Sequence, residues 1–265
     1  MYVRSFAADC NAAVSSSKMK TGAFLGRTMR KLCAALGALV LLATPAWSEP
    51  SGFPPTDRTW TPLDLPAVGT TLRTAAVTDL PRMSSPASGV LERLSDPATM
   101  SMCRDQSLPA ESRMRDCLPA FQALVGIGEA YVSALDRDAA FADDAMRAAE
   151  GLLHGADAMH ALMNDFVATL DPNDPSYARR MGGVDQAKRG LTTMLNGAIT
   201  MLTERHLYSD AARARFAAVI AEVYPRMRVS LTAENRAEFE RTLQTLMQND
   251  PDPDVRAALT ALNAL

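Results

Sequence analysis

Residues 100–121, MSMCRDQSLPAESRMRDCLPAF, contain two cysteines, and two methionines stand just before the first of them. Thiolate and thioether groups are the ligands that soft Cu(I) prefers, so Met100 and Met102 beside Cys103 are candidate metal ligands. A specific copper site needs several more ordered ligands than the sequence identifies. In an oxidising compartment an isolated cysteine pair more often forms a disulfide, and closing a loop of about fifteen residues stabilises a fold by roughly 3 kcal/mol. We therefore predict a disulfide between Cys103 and Cys117 and keep the copper-type site as the alternative.

A second candidate set consists of Glu150, His154 and Asp157, which follow one another at spacings of four and three. On a helix these side chains share one face, where a hard or borderline metal could meet all three. The same face also carries Asp143 and Arg147, and a stripe that mixes both charge signs is typical of a solvated helix face. We therefore expect a solvated face here, with a metal site as the alternative. The spacing also differs from the Glu-x-x-His pattern of diiron bundles.

Motifs of covalent catalysis are absent from residues 49–265. This part of the chain has no Gly-x-Ser-x-Gly elbow and no Ser-x-x-Lys, and no serine lies at useful helical spacing from Lys188. The segment VGIGEA at 125–130 has the first two glycines of a phosphate loop, but the third glycine and a preceding strand are missing. We predict neither an enzyme nor a bound cofactor.

Residues 29–48, MRKLCAALGALVLLATPAWS, have the three-part layout of a secretory signal peptide. Two basic residues precede an apolar run of about twelve residues, which is shorter than the roughly twenty that a membrane span needs. Small residues precede the expected cleavage after Ser48. We interpret residues 1–28 as an over-extended gene call, with translation starting at Met29. We expect a protein that is periplasmic or secreted in a Gram-negative bacterium, with no stable membrane span after cleavage.

The charge balance of the mature chain excludes some classes of partner. Of the 27 Lys/Arg and 30 Asp/Glu residues, six basic and one acidic precede residue 49, which leaves 21 and 29 and a net charge of −8. Such a balance favours solubility and argues against general binding to nucleic acid or to anionic lipid. All the remaining basic residues except Lys188 are arginines, a bias that codon usage in a GC-rich genome can produce.

Helical periodicity is strongest in residues 141–170. An apolar residue recurs there at alternating steps of three and four, which predicts a long amphipathic helix. The stripe consists of Ala142, Ala145, Ala149, Leu152, Ala156, Met159, Met163, Phe166 and Leu170. Asp171-Pro172 ends the pattern, because proline cannot continue the hydrogen-bond ladder of a helix.

Further helices are predicted on either side of this one. They cover residues 119–137, the region after Asp174-Pro175-Ser176 to about 202, and residues 210–229, 233–248 and 253–262. Short connections favour antiparallel neighbours, so we predict an all-α fold, an up-and-down bundle of about five or six helices forming a single domain at 87–265. Residues 49–86 contain seven prolines and no helical period. We expect an extended Pro/Thr/Ser-rich arm, part of which lies along the helical body.

Two classes of function are consistent with these observations. The first is an exported, non-catalytic helical module that binds another envelope or secreted protein or a peptide, as an accessory, inhibitor or immunity factor. A groove lined by Met and Leu would be its site, because methionine adapts to varied partners. The second is a carrier of a small ligand or of a copper-type metal inside the bundle, lined by Met159, His160, Met163, Met194 and Met201. We predict the first class.

Overall fold

The computed structural model describes residues 53–84 and 88–264, so the expected signal peptide and residues 1–28 lie outside it. Every regular element of this part of the chain is helical. The eight α-helices are α1 (Leu65–Thr74), α2 (Ser88–Ser95), α3 (Ala110–Leu135), α4 (Ala142–Ala168), α5 (Tyr177–Thr203), α6 (Asp210–Met227), α7 (Ala233–Asn249) and α8 (Pro253–Thr260). The all-α prediction is confirmed, with two short helices, α1 and α2, added to the six that the periodicity predicts.

Helix α4 is the central element of the fold. It packs against α2, α3, α5 and α6, and against a 3-10 helix at Pro97–Arg104. The predicted apolar stripe is buried from Ala142 to Met163, and Phe166 is half-buried. Because neighbours cover more than one side of this helix, burial continues around its circumference. All residues from 148 to 160 are buried, including the polar ones.

The expectation of an extended arm at 49–86 is wrong for Leu65–Thr74, which forms helix α1. Pro66 stands in the first turn of this helix, where proline costs no hydrogen bond because the N–H of that position has no partner within the helix. Three apolar side chains of α1, Leu65, Val68 and Leu72, are buried, as is Trp60 just before it. The arm therefore packs on the helical body, as predicted for part of it, and α1 lies against α3.

Polar contacts also attach the segment after α1 to the body. The phenol of Tyr131 donates a hydrogen bond of 2.8 Å to the carbonyl oxygen of Pro81. The carboxylate of Asp144 accepts one of 2.7 Å from the backbone N–H of Met83 and one of 3.1 Å from Nε of Arg82. These contacts join residues about fifty to sixty positions apart, so the segment is an integral part of the domain.

Helix α3 begins at Ala110 rather than near residue 119, and Pro119 lies inside it. By length and composition alone, α3 is apolar enough to cross a membrane, contrary to our expectation for this part of the chain. However, 56% of its most apolar window is buried inside the fold, and a mostly buried core helix meets the same criterion. The packing of α3 against α1 and α4 accounts for its apolar composition.

The starts of the last three helices are determined by capping side chains. Ser209, Thr232 and Asp252 stand just before α6, α7 and α8. Each side-chain oxygen accepts a hydrogen bond from a backbone N–H two or three residues later, a group that lacks a partner within the helix. These caps explain why the predicted boundaries of α6, α7 and α8 agree closely with the structure.

Candidate functional site

The cysteine pair of residues 100–121 lies at disulfide distance. The Sγ atoms of Cys103 and Cys117 are 2.08 Å apart and the Cα atoms 5.9 Å apart. Cys103 belongs to the 3-10 helix and Cys117 to α3, so the pair links these two elements. A guanidinium N–H of Arg113 adds a 3.0 Å hydrogen bond to the carbonyl oxygen of Cys103. This arrangement favours a structural role for both cysteines.

The same geometry disfavours a copper-type site at this position. A sulfur bonded to another sulfur is not available as a thiolate ligand. Met100 is buried in the core and Met102 is half-buried. Within the described ranges, no group of three or more His, Cys, Asp or Glu residues is placed to hold a metal ion.

Glu150, His154 and Asp157 do share one face of α4, but the expectation that this face is solvated is wrong. The three residues are 1%, 5% and 1% exposed. They are covered because α6 packs on one side of α4 and the 3-10 helix on another, neither of which the periodicity of α4 alone reveals. Arginines from these neighbours and from α4 itself pair with the buried carboxylates.

Asp157 is held between two guanidinium groups. Arg226 of α6 donates from Nε and Nη2 to the Asp157 carboxylate at 2.7–3.0 Å, and Arg104 of the 3-10 helix donates to Oδ2. Both carboxylate oxygens are therefore occupied by cationic donors. A metal ion at Asp157 would have to displace a guanidinium group, which disfavours the metal site considered above.

Glu150, seven residues earlier on α4, has a similar arrangement. Arg147 donates to its Oε2, and Nε of Arg215 on α6 lies 3.6 Å from its Oε1. Burial raises the pKa of the Glu150 carboxyl, against the opposing effect of these two arginines. Oε1 itself is buried and accepts no hydrogen bond.

His154 lies between these two ion-paired carboxylates, and its Nδ1 is buried without a hydrogen-bond partner. Burial lowers the pKa of the His154 imidazole. Burial also lowers the pKa of His160, whose Nε2 lies 2.7 Å from Oγ of Ser230. We call Glu150, His154 and Asp157 the buried polar row. The arginines that pair with its carboxylates are Arg104, Arg147, Arg215 and Arg226.

A second feature is an open groove of about 250 Å³ between α6, α7 and the 3-10 helix at Ala261–Ala264. We call it the α6–α7 groove. It is lined by Tyr224, Arg228, Glu240, Leu243, Gln244, Met247 and Leu262. The expectation of a binding groove lined by Met and Leu stays a prediction. This groove contains two leucines and one methionine, and its lining comes from three segments of the chain.

The rim of the α6–α7 groove is polar. Arg228 and Glu240 form an ion pair at 3.1 Å, and the hydroxyl of Tyr224 lies 3.4 Å from Oε1 of Glu240. Burial, together with the nearby Glu240 carboxylate, raises the pKa of Tyr224 to about 12. The phenol is therefore a neutral hydrogen-bonding group at physiological pH. The groove thus combines an apolar floor with hydrogen-bonding groups of both charge signs.

The residues proposed to line a carrier cavity are core residues. Met159, Met163, Met194 and Met201 are each 4% exposed and belong to the continuous hydrophobic core. Methionine commonly fills irregular gaps in such cores.

The comparisons with known proteins find no match: no protein-family model, no curated protein and no solved structure resembles this chain.

Proposed function

We propose that this protein is an exported, non-catalytic helical module that binds a peptide segment of another envelope or secreted protein in the α6–α7 groove. The observation that carries the proposal is a groove open to solvent whose floor is apolar, formed by the buried Leu243 and Leu262 and the half-buried Met247. An apolar concave surface rimmed by polar groups is typical of a binding site for apolar side chains.

The proposed occupant is a short segment with one or two large apolar side chains next to polar ones. The apolar side chains would contact Leu243 and Met247, and the adjacent polar groups would meet Arg228, Glu240 and the Tyr224 hydroxyl at the rim. Met247 is half-buried and unbranched, so its side chain can adjust to the shape of an incoming residue.

The buried polar row supports a non-catalytic protein. Catalytic acids and bases need access to a substrate atom within hydrogen-bond distance. Here the Asp157 oxygens are bonded to Arg104 and Arg226, and Glu150 is paired with Arg147. The signal-peptide pattern and the cysteine pair support export, because disulfides persist in oxidising compartments.

A photo-crosslinking amino acid placed at Gln244, an exposed residue of the groove, tests the proposal in the native host. The same probe at Arg115 on α3, whose side chain is 75% exposed, is the matched control. We expect one discrete crosslinked protein from the Gln244 position only. Adding Met247→Glu should abolish that product, and thermal unfolding of this variant checks that the fold is retained.

Three outcomes would contradict the proposal. These are no product at Gln244, the same product at both positions, or a product that survives Met247→Glu. The mass of the mature protein from the same cells tests export separately, because cleavage after Ser48 removes residues 1–48.

A further inference from the structure

Two carboxylates on one face of α4, those of Glu150 and Asp157, form ion pairs with arginines, and His154 lies between them. We propose that the part of this face around His154 is a binding site for a small oxyanion, the carboxylate or phosphate group of a ligand, and we call it the His154 site. The site is distinct from the α6–α7 groove, and the proposal does not depend on the function proposed for that groove.

The His154 site is formed by residues of three elements. On α6, Arg215, Glu222 and Arg226 follow at spacings of seven and four, which places them on one helix face. Arg215 reaches Glu150 and Arg226 reaches Asp157, so this face of α6 runs along the buried polar row. Arg104 of the 3-10 helix reaches Asp157 as a second guanidinium group. His154 is thus bordered by arginines of α6 and of the 3-10 helix.

Unpartnered polar atoms point to a ligand at this place. Nε of Arg147 and Nδ1 of His154 are both buried without a hydrogen-bond partner, whereas Oε1 of Glu150 has Nε of Arg215 at 3.6 Å. Arg147 and His154 are seven residues apart on α4 and share one of its faces. Leaving a buried polar atom unpaired is destabilising, and most such atoms in folded proteins have a partner. An oxyanion could accept hydrogen bonds from the Arg147 and His154 nitrogens.

The charge at the site favours an anion over a cation. Four guanidinium groups face the carboxylates of Glu150, Asp157 and Glu222, an excess of positive charge in a mature chain of net charge −8. The side chains of Arg104, Arg215 and Arg226 are 37%, 43% and 44% exposed. Each guanidinium carries five N–H donors, so donors remain for a ligand after the ion pairs are made.

An anion at the His154 site would favour the protonated form of His154, because opposite charges attract. The charged groups that act on the imidazole are Arg104, Asp157, Glu222 and Arg226, and the cluster of Arg147, Glu150 and Arg215 lies further along the same face of α4. Binding should therefore tighten as the pH falls through the His154 pKa. The same oxyanion chemistry is presented by free phosphate and by an acidic side chain of a partner protein.

NMR of the imidazole groups tests the inference on the full mature protein. Only three histidines are present, His154, His160 and His206, so each signal can be assigned by substitution. The probes are inorganic phosphate, acetate and a short glutamate-rich peptide, each added to about 10 mM, which would nearly fill a site with a Kd of ~1 mM. We expect a saturable shift of the His154 signals, with the exposed His206 unaffected.

The concentrations at which the probes saturate the site distinguish a free anion from an acidic segment of a partner protein. Saturation by phosphate at lower concentration than by the peptide indicates a free anion, and the reverse indicates an acidic segment of a partner. Arg215→Gln should weaken binding about tenfold, equivalent to about 1.4 kcal/mol, without breaking the ion pairs of Asp157. Arg115→Gln on α3 is the control and should leave the affinity unchanged.

The inference is overturned if no probe shifts the His154 signals, or if all three histidines shift together as with a general salt effect. It is also overturned if Arg215→Gln and Arg115→Gln have the same affinity. A crystal structure of the protein crystallised with phosphate would also overturn the inference if it showed only water beside Nδ1 of His154.

Discussion

At the scale of single residues, buried ion pairs join helices that are far apart in the sequence. Arg213 on α6 and Asp250 before α8 pair with side chains that are 1% and 3% exposed. The Arg213 guanidinium also donates two hydrogen bonds of 3.0 and 3.2 Å to the carbonyl oxygen of Leu202 at the end of α5. One side chain thus holds the end of α5, the start of α6 and the segment before α8 together.

Arg213→Leu should therefore be strongly destabilising. It would leave the Asp250 carboxylate buried without a cation and the Leu202 carbonyl without its donors, which typically costs about 3–5 kcal/mol of unfolding free energy. Urea denaturation measures the effect. Arg58→Ala, which removes the exposed pair with Asp64, is the control and should change the midpoint little. Equal midpoints for the two variants would show that the buried pair is not important for stability.

The two buried histidines predict a loss of stability at mildly acidic pH. Burial lowers the pKa values of His154 and His160 below about 6.5, the usual value, which the unfolded chain keeps. Below that pH the unfolded state binds more protons than the folded state. The unfolding free energy then falls as the pH is lowered, at most about 1.4 kcal/mol per pH unit for each histidine.

This effect can be measured by thermal unfolding between pH 7.5 and 5.5 in a phosphate-free buffer. His154→Gln and His160→Gln should each reduce the dependence of the unfolding temperature on pH, whereas His206→Gln, at an exposed position, should not. The raised pKa of Glu150 acts in the opposite direction, because a carboxyl whose pKa is higher in the folded state adds stability as the pH falls. If the unfolding temperature of all three variants depends on pH as strongly as that of the parent protein, the buried histidines do not cause this dependence.

At the scale of helices, the sequence predicted the long elements well and their surroundings poorly. The stripe of α4 correctly located a long helix and its apolar face. It could not show that the opposite face is buried, because Glu150, His154 and Asp157 are covered by α6 and by the 3-10 helix, whose arginines lie about fifty to seventy residues away. Helix α1 was missed because proline and threonine obscured a ten-residue pattern.

Substituting alanine for glycine should have opposite effects on stability at two helical positions. A Cβ at Gly151 of α4 would lie 2.9 Å from the backbone carbonyl carbon of Leu94, so Gly151→Ala must separate α2 from α4. Such overpacking costs about 1–3 kcal/mol. Gly182 of α5 has open space around the added atom, and alanine there should stabilise the helix by about 0.5–1 kcal/mol. Differential scanning calorimetry of both variants measures this. The same sign of change in both would contradict the α2–α4 contact.

At the scale of the whole molecule, the candidate sites show where prediction from sequence ends. Cys103 and Cys117 could be paired because they are the only cysteines after the expected cleavage site. The α6–α7 groove could not be located from the sequence. Its floor joins Leu243 and Met247 of α7 with Leu262 near the C terminus, and only the packing of α6, α7 and α8 brings them together.

The disulfide, the compartment and the stability of the whole fold are linked in one last prediction. If the proposed export takes place, denatured protein from the native host should have the mass of residues 49–265. It should gain about 2 Da on reduction, because breaking one S–S bond adds two hydrogens. Reduction should also lower the unfolding free energy by roughly 3 kcal/mol, since the unfolded chain regains the freedom of a closed loop of about fifteen residues.

The double variant Cys103→Ser, Cys117→Ser is the control, because reductant should change neither its mass nor its unfolding midpoint. A parent protein with no mass gain and two free thiols would contradict the disulfide. The thiolates beside Met100 and Met102 would then be available to a soft metal, and Cu(I) titration would become the next experiment. A mass gain without any loss of stability would mean that the contacts of Arg113 and α3 hold the 3-10 helix in place without the bond.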